Sequence, residues 1–305
     1  MENNTKLNGI DISEHNGFID FKEVKKKIDF VYIRSSFGRF AYDKYFEEYA
    51  NKCIENEIPF GFYHYSYALN EEQAKEEAEF FIKTISKYKN KMELPLCIDI
   101  EDSDSYKKNH NFEFSKENIT KILETECKIL IEKGFRPIIY ASLSWFTNYI
   151  DLQNETLKSC FKWLAWWNDK ADSKVDKNIF SILQYTDKGE ISGTTSKVDL
   201  NYSYVDFKKL KEYTENITKL FLIKFKTGLT DLDLQYLTCY KFGNFLVDKI
   251  EARLKKEPID YDIPDIKKLI KNEYGLEEKT ITYIDSYIYG DEVFNKLKNA
   301  LLLKK

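Results

Sequence analysis

No stretch of this chain is apolar for long enough to span a bilayer, and no basic excess marks it for nucleic acid. Lysine and arginine number 47 against 51 aspartates and glutamates, a formal charge of -4. Neither membrane insertion nor a nucleic-acid partner is therefore expected. Histidine is scarce, and His15, His64 and His110 never fall at metal-ligand spacing, so the expectation is no metal and no cofactor. The five cysteines, Cys53, Cys97, Cys127, Cys160 and Cys239, are odd in number and unpaired in spacing. That excludes a disulfide framework or a zinc site in favour of reduced, buried thiols, with a lone nucleophilic cysteine still open. The opening Met1-Glu2-Asn3-Asn4-Thr5 lacks the charged and apolar regions of a secretory leader, so the expected place of synthesis and residence is the cytoplasm until something releases the protein.

What is present is ordinary in bulk and unusual in its rings. Hydrophobic residues make up 43% and charged residues 32%, whereas aromatics reach 16%, which suits a carbohydrate-facing cleft and a packed core alike. A chain of 305 residues accommodates one large barrel, or a barrel with a small appendix.

Pro95-Leu96-Cys97-Ile98-Asp99-Ile100-Glu101-Asp102 reads as a buried strand ending in acids. Strand side chains alternate, so Asp99 and Glu101 face the same way, roughly 6 to 7 Å apart at about 3.3 Å per residue. Two such carboxylates can be driven to different pKa values, one kept protonated and one ionised, as in glycosidases. A solvated strand end or a helix cap would carry the same residues.

In chain order, strands are predicted at Leu7 to Ser13, Phe30 to Ser36, Phe60 to Ala68, Pro95 to Asp102 and Arg136 to Ser142, each followed by a helical segment. Asn70 and Ser115 cap two of the helices, and Pro59 and Gly134 end two. Three further strands, Phe161 to Trp167, Phe180 to Tyr185 and Lys197 to Asn201, are separated by loops alone. The expected fold class is α/β, a TIM-like (β/α)5(β)3 barrel over residues 1–210 with a small C-terminal all-α domain. Chemistry in such barrels sits where strands end. Here the ends carry Asp11, Arg34, His64 with Tyr65, Asp99 with Glu101, Tyr140, Trp166 with Trp167, Gln184 and Asp199, which are acids for proton transfer, rings for sugar stacking and an amide for hydroxyls.

These blocks resemble glycoside hydrolase family 25, the lysozyme-like N-acetylmuramidases of phages and bacteria. The resemblance runs from about Asn8 to Phe207 on three blocks: Gly9-Ile-Asp11-Ile-Ser13-Glu-His-Asn16-Gly17, Asp99-Ile-Glu101, and Leu183-Gln184-Tyr185 followed by Val198-Asp199-Leu200-Asn201. It implies Glu101 as general acid, with Asp11, Asp99 and Asp199 as companion carboxylates, and cleavage of the β-1,4 bond between N-acetylmuramic acid and N-acetylglucosamine in peptidoglycan. Asp99 would either orient the substrate's own acetamide or activate a water. Tyr65, Trp167 and Tyr185 are candidates for sugar stacking, and His64, Arg34, Tyr140 and Gln184 for other substrate contacts. One departure is Arg34-Ser35-Ser36-Phe37-Gly38, where Phe37 stands in place of an acid.

Beyond Phe207 the resemblance ends. Residues 211–227 are expected as a connector with some order, and 228–305 as three or four helices with no known repeat and nearly balanced charge. That region would hold the enzyme on a wall polymer or mediate self-association. The expected whole is an endolysin that lyses Gram-positive host cells; the competing classes are a non-catalytic wall-binding barrel and a structural protein of a phage particle.

Overall fold

The computed structural model describes residues 6–302, the side chains of 212–218, 221 and 231 excepted. The chain forms two compact units, Met1–Leu210 and Lys211–Lys305.

Nine strands build the first unit: β1 (Leu7–Ile12), β2 (Phe30–Phe37), β3 (Ala41–Tyr42), β4 (Phe60–Tyr65), β5 (Leu96–Asp99), β6 (Pro137–Ser142), β7 (Phe161–Ala165), β8 (Ile182–Gly189) and β9 (Val198–Ser203). The order β1-β9-β8-β7-β6-β5-β4-β2 closes through β1 pairing with β2, leaving β3 as a short hairpin partner outside the barrel. This is the eight-stranded barrel expected from the alternation of strands and helices, and the helices Phe46–Glu55, Glu71–Ile85 and Lys116–Glu132 pack around it. Asn70 and Ser115 cap the latter two through their side-chain oxygens.

One feature of the topology was not foreseen. β9 runs antiparallel to both neighbours, β8 and β1, because a hairpin and not a crossover helix delivers it. Its N-terminal end therefore lies at the same rim as the C-terminal ends of the parallel strands. That direction brings Asp199, the second residue of β9, opposite Asp11 near the end of β1.

Alternation along each strand separates two apolar layers. Ile10, Ile12, Val31, Ile33, Phe60, Phe62, Ile98 and Ile139 face the helices. Tyr32, Cys97, Tyr140, Trp163 and Ile182 fill the barrel, with Tyr32 and Trp163 in ring contact at 4.6 Å. The interior is thus a packed core up to the rim.

The second unit has its own core, which includes Ile223, Leu237, Ile250, Leu269, Ile284, Phe294 and Leu297. Residues expected as a connector belong to a 21-residue helix, Phe207–Thr227, whose Ile223 is fully buried in that core. Five further helices follow, one more than the expected maximum: Asp231–Cys239, Gly243–Leu254, Ile266–Glu273, Glu278–Asp285 and Gly290–Leu301. The apolar residues from Leu234 to Leu254 are divided between two helices, with a break between Cys239 and Gly243, and Phe245 is 57% exposed. Gly290 is the first residue of the last helix.

Candidate active site

Register places the acids side by side. Tyr65 on β4, Asp99 on β5 and Tyr140 on β6 are consecutive cross-strand partners, as are Gln184 on β8 with Asn201 on β9, and Asp199 with Asp11. All point inward at the rim, which the two-residue alternation of their strands dictates.

Asp11 is the hub. Its Oδ2 accepts from Gln184 Nε2 at 3.0 Å and from Asn201 Nδ2 at 2.7 Å. Both amides are held from behind. Trp163 Nε1 donates to Asn201 Oδ1 at 2.8 Å, while Tyr140 OH and Trp167 Nε1 both donate to Gln184 Oε1 at 2.9 Å. Asp199 is the cross-strand partner of Asp11, close enough for each carboxyl to shift the pKa of the other. Burial raises the Asp11 pKa against these hydrogen bonds, and burial together with Asp11 pushes Asp199 up to about 9.

Asp99 is buried, and its Oδ1 has no hydrogen-bond partner. Burial first, then the charges of Glu101 and Asp11, hold its carboxyl well above the usual range. Glu101 follows two residues later. Burial, opposed by a hydrogen bond with Ser103 and assisted by Asp11 and Asp104, pushes it up to about 7. Close carboxylates in a poorly solvated rim cannot all ionise, so the cluster holds protons at neutral pH.

The loop carrying Glu101 is fastened at several points. Asp102 accepts from the backbone N–H of Lys107 at 2.6 Å and of Lys108 at 3.1 Å, and the N–H of Ser103 donates to Tyr65 OH at 3.1 Å. Ser105 and Asn111 take left-handed backbone conformations, with φ of 61° and 54°. Lys107 is fully buried, and its Nζ donates to the carbonyl of Ser66. Ser66 Oγ donates to Glu126 at 2.8 Å, and Glu126, desolvated and near Glu77, has its pKa pushed up to about 8. Desolvation lowers the Lys107 pKa, opposed chiefly by Glu126 and Glu77.

Of the sequence-derived candidates, Asp11, Asp99, Glu101, Asp199, Tyr65, Tyr140, Trp167 and Gln184 meet at this rim. Trp167 is 57% exposed and pinned by its indole N–H, which leaves a ring face open. Tyr65 is largely buried, with its hydroxyl 3.0 Å from Ser103 Oγ. Arg34 reaches the rim but is engaged there, Nε donating to the buried Asp43 at 2.9 Å and Nη2 lying 3.4 Å from Glu14.

Two candidates require correction. His64 shares the parity of Phe60 and Phe62, so it faces the helices: its Nε2 is 3.0 Å from Glu77 Oε2, its Nδ1 2.8 Å from Ser36 Oγ, and its ring lies on Phe81. Tyr185, next to Gln184, takes the opposite face at a register shift of β8 and stacks on Tyr202 at 4.2 Å. Neither shares the face of the acids.

Sequence reading missed Asn201, Tyr63 and Lys107. The first two carried a signal, since Asn201 has the parity of Asp199, and Tyr63 that of Tyr65; Tyr63 lies close enough to Asp11 and Asp99 for their charges to add to burial in raising its pKa. Lys107 carried none: a lysine among Asp102, Asp104 and Lys108 reads as solvated.

The model of the family described as glycosyl hydrolases family 25 matches residues 10–194. The chain is 27% identical over 197 residues to an autolytic lysozyme of Clostridium acetobutylicum, covering 64% of this chain and 55% of that protein. Among solved structures it is similar to a family 25 glycosyl hydrolase from Bacillus anthracis (TM-score 0.56, 26% identity, 70% of this chain, 94% of that one). It is also similar to the modular autolysin LytC from Streptococcus pneumoniae in complex with a synthetic peptidoglycan ligand (TM-score 0.57, 25% identity, 65% and 46%). The chain thus spans about half the length of the autolytic lysozyme and of LytC.

Proposed function

The chain belongs to the glycosyl hydrolases of family 25, and from that premise we propose that it is a peptidoglycan hydrolase that cleaves the β-1,4 bond between N-acetylmuramic acid and N-acetylglucosamine. The observation that carries the reading is Glu101, whose pKa is pushed up to about 7 in a cluster with the buried Asp11 and Asp99 and the half-buried Asp199. A carboxyl with that pKa is about half protonated at neutrality, and that form gives its proton to the leaving glycosidic oxygen.

Asp99, the last residue of β5, has a partnerless buried oxygen. It accepts the N–H of the substrate's 2-acetamido group, which turns the acetamide oxygen onto the anomeric carbon. Attack from there displaces the leaving sugar as Glu101 protonates it, and Glu101, now a carboxylate, deprotonates the water that opens the cyclic intermediate. Asp11 and Asp199, cross-strand partners at the rim, keep negative charge beside the developing oxocarbenium ion. Trp167 offers a pinned, exposed ring to a sugar face. In its full form the reading is an endolysin, made in the cytoplasm of a Gram-positive host and acting on the wall after release.

Turbidity of purified Gram-positive walls tests it, with wild type set against Glu101→Gln. Clearing by wild type with new muramic acid reducing ends, and a loss of about 10²–10⁴-fold in the variant, is the expected outcome. Walls bound but not cleaved would make the barrel a binding scaffold. Product that appears first as the inverted anomer would remove the role given to the acetamide.

A further inference from the structure

The second unit contains an internal duplication. Residues 228–254 and 275–301 align without a gap at an offset of 47. Gly228, Leu229, Tyr236, Tyr240, Gly243, Lys249 and Leu254 recur as Gly275, Leu276, Tyr283, Tyr287, Gly290, Lys296 and Leu301. Secondary structure repeats with them: Asp231–Cys239 and Gly243–Leu254 in the first copy, Glu278–Asp285 and Gly290–Leu301 in the second. Gly228 and Gly275 both take left-handed φ, at 72° and 60°. Gly243 and Gly290 each open a helix where a Cβ would stand 2.4 Å from a carbonyl of the preceding helix, so both corners require glycine.

The two copies face each other across a local twofold axis. Tyr236 OH donates to the carbonyl of Tyr283 at 3.1 Å, and Tyr283 OH donates to that of Tyr236 at 2.7 Å. Their rings stack at 4.6 Å, flanked by the symmetric stacks Tyr236–Tyr287 at 4.0 Å and Tyr240–Tyr283 at 4.2 Å. An isologous contact of this kind makes every groove between the copies occur twice.

The twin grooves differ in charge: Lys249, Lys279 and Glu277 line one, whereas the equivalent positions of the other carry Lys296, Glu292 and Asp233. In the second, Lys296 reaches across to Asp233 at 2.8 Å, and Asp233 is almost wholly buried. In the first, Lys249 stands where Lys296 does, but Thr280 replaces the aspartate. That groove is open, about 330 Å³, with Phe242, Phe245, Leu246 and Leu276 along it. Lys249 gives one N–H to the carbonyl of Gly275 and lies over the Phe245 ring at 4.7 Å, with two donors left over. The neighbouring Lys279 is already neutralised by Glu277 at 2.7 Å.

The open groove therefore carries a net positive charge where its twin does not. We infer that it binds the carboxylate end of a wall peptide, the carboxylate on Lys249 in the place of the Asp233 carboxyl and the adjoining methyl-bearing residues on the two phenylalanines and two leucines. Two ammonium groups, Lys249 and Lys279, against the one carboxylate of Glu277 leave a single positive charge that selects a monoanion, and the apolar walls select a small aliphatic flank. The choice of peptide rests on the peptidoglycan reading above.

Calorimetric titration of the full chain with acetyl-D-alanyl-D-alanine and with its C-terminal amide tests the assignment. The acid is expected to bind saturably and the amide about tenfold more weakly, as loss of one charge-assisted contact requires. Thr280→Asp restores the twin's internal pair and is expected to abolish binding of the acid in a folded chain, whereas Lys296→Met leaves it intact. Equal binding of acid and amide, no binding of either, or undiminished binding by Thr280→Asp each overturns the inference. Wall hydrolysis is measured in parallel. Hydrolysis without acid binding sinks the groove alone, and acid binding without hydrolysis sinks the catalytic reading alone.

Discussion

Asp11 illustrates how a single carboxylate is placed. Two amides hold one of its oxygens, and each amide is oriented by an indole N–H, so the acceptor faces of Gln184 and Asn201 are already occupied and only their N–H groups turn to the acid. Replacing Asn201 with leucine removes a bond that lowers the Asp11 pKa and orphans the Trp163 indole. The expected result is a fall in kcat of about tenfold or more with binding of walls retained, read from turnover and from co-sedimentation. The protons stored in the cluster also set the direction of pH effects. Glu101 and Asp199 have ordinary values of 4.5 and 3.8 but titrate at about 7 and about 9 in the fold. Across that window the folded chain keeps protons that the unfolded chain has lost, so stability is fullest below the lower pair and drains as pH rises through the upper one. Melting temperature is expected to fall between about pH 5 and about pH 9, and Asp199→Asn to flatten the decline while reducing activity. The catalytic limb has the same sign: kcat decreases as pH rises through about 7, where Glu101 gives up its proton.

Among elements, the loop that follows β5 depends most on a buried charge. Lys107 lies between acids of two helices, Glu77 of Glu71–Ile85 and Glu126 of Lys116–Glu132, and ties them to the segment that begins with Glu101. Lys107→Met leaves a buried acid pair uncompensated and is expected to cost about 3–5 kcal/mol in chemical denaturation, with part of the loss recovered when Glu126 is also replaced by leucine. How much of this was legible in the sequence follows the same division. Strand bodies and helix caps declare themselves by period and by residue type, and so the barrel and the rim acids could be read. Direction could not be read: nothing in Val198 to Ser203 states that β9 runs antiparallel, and only that direction sets Asp199 beside Asp11. His64 was misread for a different reason, since its alternation with Tyr63 and Tyr65 was available and was overlooked in favour of its position near a strand end. The corners at Gly243 and Gly290 were hidden because glycine between apolar segments reads equally as a helix stop and as a helix start.

At the scale of the molecule, the helix Phe207–Thr227 crosses the division between the two units, and its first turn belongs to the barrel. Phe207 closes the interior layer against Phe161, ring to ring at 5.0 Å. A chain ended at Leu210 is expected to fold as the barrel, whereas one ended at Asp206 loses that plug and about 3–5 kcal/mol; urea titration of the two chains followed by tryptophan fluorescence separates the cases.

The pairing of β9 with β1 also has a bearing on the cell that makes the protein. Asp11 leaves the ribosome early and Asp199 late, and the barrel cannot close until the strand bearing the second has been synthesised. A nascent or prematurely terminated chain carries Glu101 without the finished acid cluster around it. Translation itself thus withholds the completed acid cluster until nearly the whole barrel exists.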